Sequence, residues 1–210
     1  MILSLIGMSS AGKTHWAKRI ERAGFERFSC DDVIEELLHS ELGDKGFVGL
    51  SDVAEWMGHP YEKRYHVTSK KYLEAEELAM NTILDTVESK INGLIPNIVV
   101  DTTGSAIYTS QQVLSRLKNL TKVIYLEIPD EQKGKMAKEF ILDPKPLIWG
   151  DVFSLEPHED PKKGLIRSYP KLLEFRSKKY EELADFTFKF EDHKSTTLDV
   201  NGFFQYISHS

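Results

Sequence analysis

Residues 2–6, Ile2-Leu3-Ser4-Leu5-Ile6, run directly into residues 7–14, Gly7-Met8-Ser9-Ser10-Ala11-Gly12-Lys13-Thr14, which fit the spacing G-x-x-x-x-G-K-[ST]. An apolar strand, a glycine-spaced turn and an amphipathic helix in immediate succession form the setting in which that spacing binds phosphate. Gly7 and Gly12 let successive backbone N–H groups curl around a phosphate, the helix opening at Lys13 adds the positive end of its dipole, and Lys13 supplies a mobile charge. Thr14 offers a hydroxyl to a Mg²⁺ bridging the β- and γ-phosphates. At ordinary glycine frequency a chance match arises in roughly one chain of this length per hundred or fewer, and the flanking strand and helix lower that further. Gly7, Met8, Ser9, Ser10, Ala11, Gly12, Lys13 and Thr14 are therefore expected to bind ATP, with Lys13 also acting in catalysis.

Outward from this loop, apolar runs alternate with helix-period stretches. A short strand at Phe25 to Phe28 ends at Ser29-Cys30-Asp31-Asp32, and a helix starts near Val33. A Gly-spaced excursion at about residues 42–66 surrounds a small helix at Asp52 to Met57. A long helix, Thr68 to Ile91, carries the core stripe Met80, Ile83, Leu84, Val87 and Ile91. Ile98-Val99-Val100-Asp101 reads as a buried strand ending in an acid, followed by the loop Thr102-Thr103-Gly104-Ser105. Then come a helix at Ser110 to Asn119, a strand at Val123 to Ile128 and a helix at Asp130 to Leu142. Five of the eight prolines fall at positions 144, 146, 157, 161 and 170, so a lid and loop-rich region is expected over about residues 130–169. A helix from Pro170 to Leu183, a strand at Phe186 to Phe190 and a helix at Asp199 to Ile207 complete the order. The expected fold is α/β: one domain over residues 1–210, with a five-stranded, mostly parallel sheet covered by helices on both faces.

Ligands of such sheets bind at the carboxyl ends of the strands. Those ends carry the phosphate loop, Asp31 and Asp101. Asp101 is placed to complete a Mg²⁺ site with Thr14. Asp31 and Asp32 stand where a strand meets a helix, so either can cap the helix. A carboxylate there can also accept the proton of an attacking hydroxyl. Residue type alone does not choose between the two.

The chain has 210 residues, a formal charge of -6 and a sequence pI of about 5.7, which gives it no general attraction for nucleic acid or an acidic membrane. Its single cysteine, Cys30, excludes internal disulfides and a cysteine zinc cage and fits a reducing compartment, so the cytoplasm is expected. The apolar run at Met1 to Ile6 is too short for a membrane span. The expected partner is a small-molecule substrate, with no nucleic acid and no membrane, and the chain acts as a monomer or homodimer.

The stretches LIGMSSAGKT, FSCDDVIEEL, VVDTTGS, KVIYLEIP and FRSKKYEELADFTF occur in the order and roughly the spacing of the shikimate kinase and gluconate kinase branch of P-loop kinases, which this chain resembles over nearly its whole length. The resemblance implies a nucleoside-monophosphate-kinase-like fold and ATP-dependent, Mg²⁺-requiring phosphoryl transfer to a hydroxyl of a small metabolite. It implies Asp31 as the substrate-binding base, three residues before the Ile34-Glu35 pair of the family motif, and Arg176 as the contact to a substrate anion. Gly104 survives from that family's glycine-rich loop, and it too is implied to border the substrate. The chain also departs from the family. Leu73 stands at the family's substrate-binding arginine position in Tyr72-Leu73 with Glu76, and the lid region offers Lys133, Lys135 and Lys138 in place of arginines. Arg64, in the excursion, is the candidate that restores the lost charge, so the acceptor is expected to be anionic but not shikimate itself. The alternatives are a nucleoside or nucleotide kinase and a non-catalytic nucleotide-binding protein.

Overall fold

A computed structural model describes residues 1–43, 50–91, 97–142, 147–195 and 198–208. Parts of the expected excursion (44–49) and lid (143–146), as well as the Gly93 to Pro96 turn, lie outside them. The order is β1 (Ile2–Ile6), α1 (Lys13–Arg22), β2 (Glu26–Ser29), α2 (Cys30–Gly43), α3 (Leu50–Met57), α4 (Tyr65–Ile91), β3 (Ile98–Asp101) and α5 (Gln111–Leu120). It continues through β4 (Lys122–Leu126), α6 (Asp130–Leu142), α7 (Pro161–Leu183), β5 (Phe186–Phe188), α8 (Phe190–His193) and α9 (Val200–Ser208). A single 3₁₀ turn at Ala106–Tyr108 follows β3.

The five strands form one sheet in the order β2-β3-β1-β4-β5, and every pair is parallel. β1, β3 and β4 are buried almost throughout because helices cover both faces, which explains their near-continuous apolar runs. Trp16 fixes α1 to this body. Its indole N–H donates to the His193 carbonyl at 3.0 Å, and its ring packs on Phe188 and Phe203.

A second, smaller core joins α2, α3 and α4 around Leu38, Trp56, Met57, Tyr72 and Ala79, with Ile148 from the far side. From the aromatic-rich stretch at Trp56 to His66, Tyr61 stacks with His59 and packs against the main core, while Trp56, Met57 and Tyr65 pack into this satellite core. Tyr65 ties it to the chain after α6, donating to the Leu147 carbonyl at 3.1 Å and accepting the Trp149 amide at 2.9 Å.

One boundary differs substantially from the reading of the prolines. α7 begins at Pro161, nine residues before the expected start at Pro170. The Asp160 carboxylate caps it by accepting the Lys162 and Lys163 amides at 3.0 and 3.2 Å, and Pro161 suits a first helical turn that needs no N–H donor there. Pro170 then sits inside the helix on its exposed face, so only one backbone hydrogen bond is lost and the ring meets solvent. The expected loop-rich region thereby shrinks from its C-terminal end.

Candidate active site

Strand order decides which loops meet. β3 lies between β1 and β2, with Leu5 paired to Asp101 and Asp101 paired to Ser29. The phosphate loop begins two residues past Leu5, and Asp31 stands two residues past Ser29. Three segments far apart in sequence therefore end along one edge.

The loop has the backbone its glycines permit. Gly7 and Gly12 have φ of 143° and 102°, and Ser10 is held at 66°. A Cβ on Gly7 would come within 2.8 Å of the Leu126 carbonyl at the end of β4, so β4 closes on the loop only because that atom is missing. Gly12 precedes α1 without a side-chain cap, and the first turn of α1 carries no acid, leaving its N–H groups open to an anion. Lys13 folds back over the loop and donates to the Gly7 and Met8 carbonyls at 2.9 and 3.0 Å. Burial lowers its pKa, and the nearby Asp101 and Asp31 carboxylates work against that shift.

Asp101 is buried at the end of β3, and burial raises its pKa against the pull of Lys13, a Thr14 hydrogen bond and Arg27. One oxygen accepts from Arg27 at 3.4 Å, while Oδ1 is buried with no partner among the described residues. A buried orphan carboxylate oxygen beside the Thr14 hydroxyl is the donor set a hard, oxygen-seeking cation takes, so these residues fit Mg²⁺.

Asp31 and Asp32 separate in the structure. The Ser29 hydroxyl accepts the Asp32 amide at 3.3 Å, so Ser29 supplies the helix-capping contact. Asp32 is exposed and pairs with Arg27 at 3.5 Å. Asp31 lies deeper. Burial raises its pKa to about 6, with Lys13 opposing and Asp101, Asp32 and Glu35 reinforcing. A carboxyl that changes protonation near neutrality, beside the loop lysine, has the properties of a general base.

Gly104 and Arg176 also come together. A Cβ on Gly104 would fall 3.1 Å from both the amide and the hydroxyl of Ser9 and 3.5 Å from Arg176 Nη1, so the glycine lets the phosphate loop and the guanidinium approach each other. Arg176 is buried, donates to the Ile148 carbonyl at 2.7 Å and lies over the Tyr108 ring at 5.4 Å, while its Nε has no partner among the described residues. Tyr180 fixes the loop by donating to the Gly104 carbonyl at 2.5 Å.

Arg64 does not join this group. Its guanidinium is half exposed, donates to Glu62 at 2.9 Å and packs over Gly58, so the expected replacement for the missing family arginine is an ion pair within the excursion. The lid lysines are also engaged locally, Lys133 with Asp130 at 2.8 Å and Lys135 with Glu131 at 3.7 Å.

Three contributors escaped the sequence reading as site residues. Arg27 bridges Asp101 and Asp32 from β2, a position that looks like a solvated strand cation. Glu76 is fully buried in α4, where it accepts from Thr103 and Ser105, and burial lifts its pKa to about 7. Its sequence signal is an acid within the apolar stripe between Tyr72 and Met80. Lys194, just after α8, has its ammonium 3.4 Å from where a Cβ on Gly12 would stand. Nothing local to Lys194 in sequence points to the phosphate loop.

No protein-family model matches the chain, and no curated protein matches it. Solved structures do. A shikimate kinase from Acinetobacter baumannii in complex with shikimate superposes with a TM-score of 0.55 at 20% identity, covering 99% of this chain and 90% of that one. Shikimate kinases from Bacteroides thetaiotaomicron and Aquifex aeolicus each give 0.57, at 15% and 18% identity, covering 100% of this chain and 97% of theirs. The fold is that of the shikimate kinases. At these identities the likeness concerns the architecture alone, and the chemistry has to be argued from the side chains above.

Proposed function

We propose that the chain is a cytoplasmic, ATP-dependent kinase that transfers the γ-phosphoryl group to a hydroxyl of a small metabolite, acting as one domain over residues 1–210. The observation that carries this reading is the convergence of Lys13, Asp31 and Asp101 at the carboxyl edge of β1, β2 and β3. Backbone N–H groups from Gly7 to Thr14 bind the phosphates, and Lys13 exchanges its two carbonyl partners for phosphate oxygens. Thr14 and Asp101 hold Mg²⁺, which when bound neutralises charge on the β- and γ-phosphates. Asp31 orients the acceptor hydroxyl and takes its proton at the carboxylate. Gly104 and Arg176 border the acceptor, and with Arg64 diverted, Arg176 is the guanidinium that remains for an anionic group on it. The likeness to shikimate kinases supports this arrangement. The changes at Leu73 and Arg64 support an acceptor other than shikimate.

The test is product formation. Wild-type protein with Mg²⁺, ATP and a panel of hydroxylated metabolites that includes shikimate, gluconate and nucleosides should release ADP in proportion to a phosphorylated acceptor. A nucleoside as the sole productive acceptor would favour the nucleoside kinase alternative. Tight ADP binding without transfer to any acceptor would support a nucleotide-binding protein that performs no chemistry.

A further inference from the structure

Glu76, on α4, has none of its surface exposed, and its two oxygens fare differently. Oε1 accepts the Thr103 and Ser105 hydroxyls, the latter at 2.9 Å, and the Ser105 amide donates to the Thr103 hydroxyl at 3.0 Å, so Glu76 holds the two residues that flank Gly104. Oε2 is buried with no hydrogen-bond partner among the described residues. Neither protonation state satisfies it. An ionised Glu76 leaves Oε2 an acceptor without a donor, and a neutral one with both hydroxyls still donating to Oε1 carries its proton on Oε2 without an acceptor. Folded chains rarely keep such an atom, because burying it unpaired costs the hydration it has lost.

The charged groups that act on Glu76 place it in the acceptor half of the candidate site. Arg176 of α7 pulls its carboxyl toward ionisation and Asp31 of α2 opposes that. Cys30 and Tyr72 are buried alongside, and burial keeps both neutral. Arg176 turns Nη2 to the Ile148 carbonyl and leaves Glu76 Oε2 without a donor. An acceptor that gives its hydroxyl to Asp31 and its anionic group to Arg176 therefore meets a second carboxyl. A further anion there would face like charge. An ammonium has donors only and carries the opposite charge, so it is the group that satisfies Oε2.

We infer that the acceptor is a hydroxy amino acid, with its carboxylate on Arg176 and its ammonium on Glu76 Oε2, and that Glu76 is a specificity-determining residue of the acceptor site. This rests on the kinase reading, keeps the anionic group that Arg176 takes, and narrows the substrate class.

The test is calorimetric titration of the full chain, saturated with Mg²⁺ and ADP, with two matched pairs: L-serine against 3-hydroxypropionate, and L-homoserine against 4-hydroxybutyrate. Each pair keeps the hydroxyl and the carboxylate and differs only in the ammonium. In at least one pair the amino compound should bind about tenfold or more tightly, as one charge-assisted hydrogen bond provides. Glu76→Gln, which sets an amide NH₂ in place of Oε2, should erase that preference while ADP affinity stays within about twofold. A purely structural Glu76 would not move a second readout. Burial holds the Glu76 carboxyl of the free chain at about 7, so at pH 6 the ammonium displaces its proton. Titrations in two buffers of different ionisation enthalpy should show the amino compound releasing up to one proton more than its partner, and Glu76→Gln should abolish the excess. Equal affinities within both pairs, a preference that Glu76→Gln leaves intact, or silence of all four compounds while ADP binds would overturn the inference and leave the kinase reading standing. Failure of ADP itself to bind would remove both.

Discussion

Eight consecutive residues make up the proposed phosphate-binding half of the candidate site, whereas the proposed acceptor half draws Asp31, Glu76, Gly104 and Arg176 from four separate segments, with Ile148 and Tyr108 bracing Arg176 and Tyr180 bracing Gly104. Phosphate has the same shape in every nucleotide. A short glycine-spaced backbone therefore recognises it, and the geometry travels with the local sequence. An acceptor has no common shape, so its pocket comes from long-range packing, and a local ion pair such as that of Arg64 with Glu62 can withdraw a side chain from it. The two halves should accordingly respond differently to mutation, the first through nucleotide binding and the second through acceptor turnover and pH.

The largest effect belongs to the phosphate side. Lys13→Ala removes a charge that the backbone cannot replace, from a group positioned against both Asp31 and Asp101. Losing one transition-state donor costs about 10² to 10³ in kcat, and the lost charge-assisted contact to bound nucleotide adds to this. kcat/KM should fall by roughly 10⁴, with unchanged far-UV circular dichroism. Calorimetric ADP affinity and turnover both equal to wild type would show that the loop does not bind phosphate here.

Asp31→Asn probes the other half and should cut kcat by about 10³ while sparing ADP affinity. Its pH signature separates chemistry from damage. Burial holds the Asp31 carboxyl of the free chain at about 6, so the base is protonated and idle below that pH, and kcat/KM should climb roughly tenfold per unit up to about pH 6 before levelling. The variant's residual rate should lack that limb. Asp32→Asn should do little, because Asp32 is exposed and its partner Arg27 also holds Asp101. A reversed ranking would move the base to Asp32.

These contrasts follow what the sequence made legible. The strand-loop-helix start and the acids at the sheet edge were readable because each rests on a local run: an apolar pentad, a glycine spacing, Ile98-Val99-Val100 ending in Asp101; the alternation of strands with helices made a mostly parallel sheet readable, and every pair is parallel. The choice of Asp31 over Asp32 was readable only through resemblance, since its physical cause is the Ser29 contact that relieves both acids of capping. Arg64 looked available because sequence does not show that Glu62, two residues earlier, already holds it. The start of α7 was missed because five prolines suggested a loop, while an Asp160 cap and a first-turn Pro161 allow a helix and Pro170 faces water. Arg27, Glu76 and Lys194 depend on strand order and helix packing, which bring together residues separated by tens of positions.

Glu76 tests the acceptor half through stability. Burial raises its pKa from 4.5 to about 7, so between those values the folded chain keeps a proton that the unfolded chain releases. The stability this gives is fully present below about pH 4.5 and is lost as pH rises through 7. Gln at this position keeps an oxygen for Thr103 and Ser105 and needs no proton. Glu76→Gln should therefore match wild type near pH 4 and exceed it at pH 8 by about 1 to 3 kcal/mol in urea unfolding. Lower stability at pH 8 would mean that an ionised Glu76 balances the buried charge of Arg176.

The smallest effect is expected at Lys194, which enters the phosphate side from outside the motif. Its ammonium lies beside Gly12 and near the Phe190 ring at 5.9 Å, and no ion pair holds it among the described residues. Its position is nevertheless set by the fold, because the preceding residue, His193, is buried, receives the Trp16 indole N–H on its carbonyl and meets the Glu127 carbonyl with its ring at 2.7 Å. An exposed cation beside bound phosphate is screened by water and salt, so Lys194→Ala should raise the KM for ATP by only about two- to fivefold, with kcat nearly constant. Lys194→Arg should restore it, and the difference between wild type and Lys194→Ala should shrink as NaCl is raised from about 0.05 to 0.5 M, over which the Debye length falls below the span of the contact. A KM that changes with no salt dependence would mean that Lys194 acts by shaping the turn after α8. A fall in kcat as large as that of Asp31→Asn would place Lys194 in the chemistry and erase the distinction between a locally encoded phosphate site and an acceptor site assembled at long range.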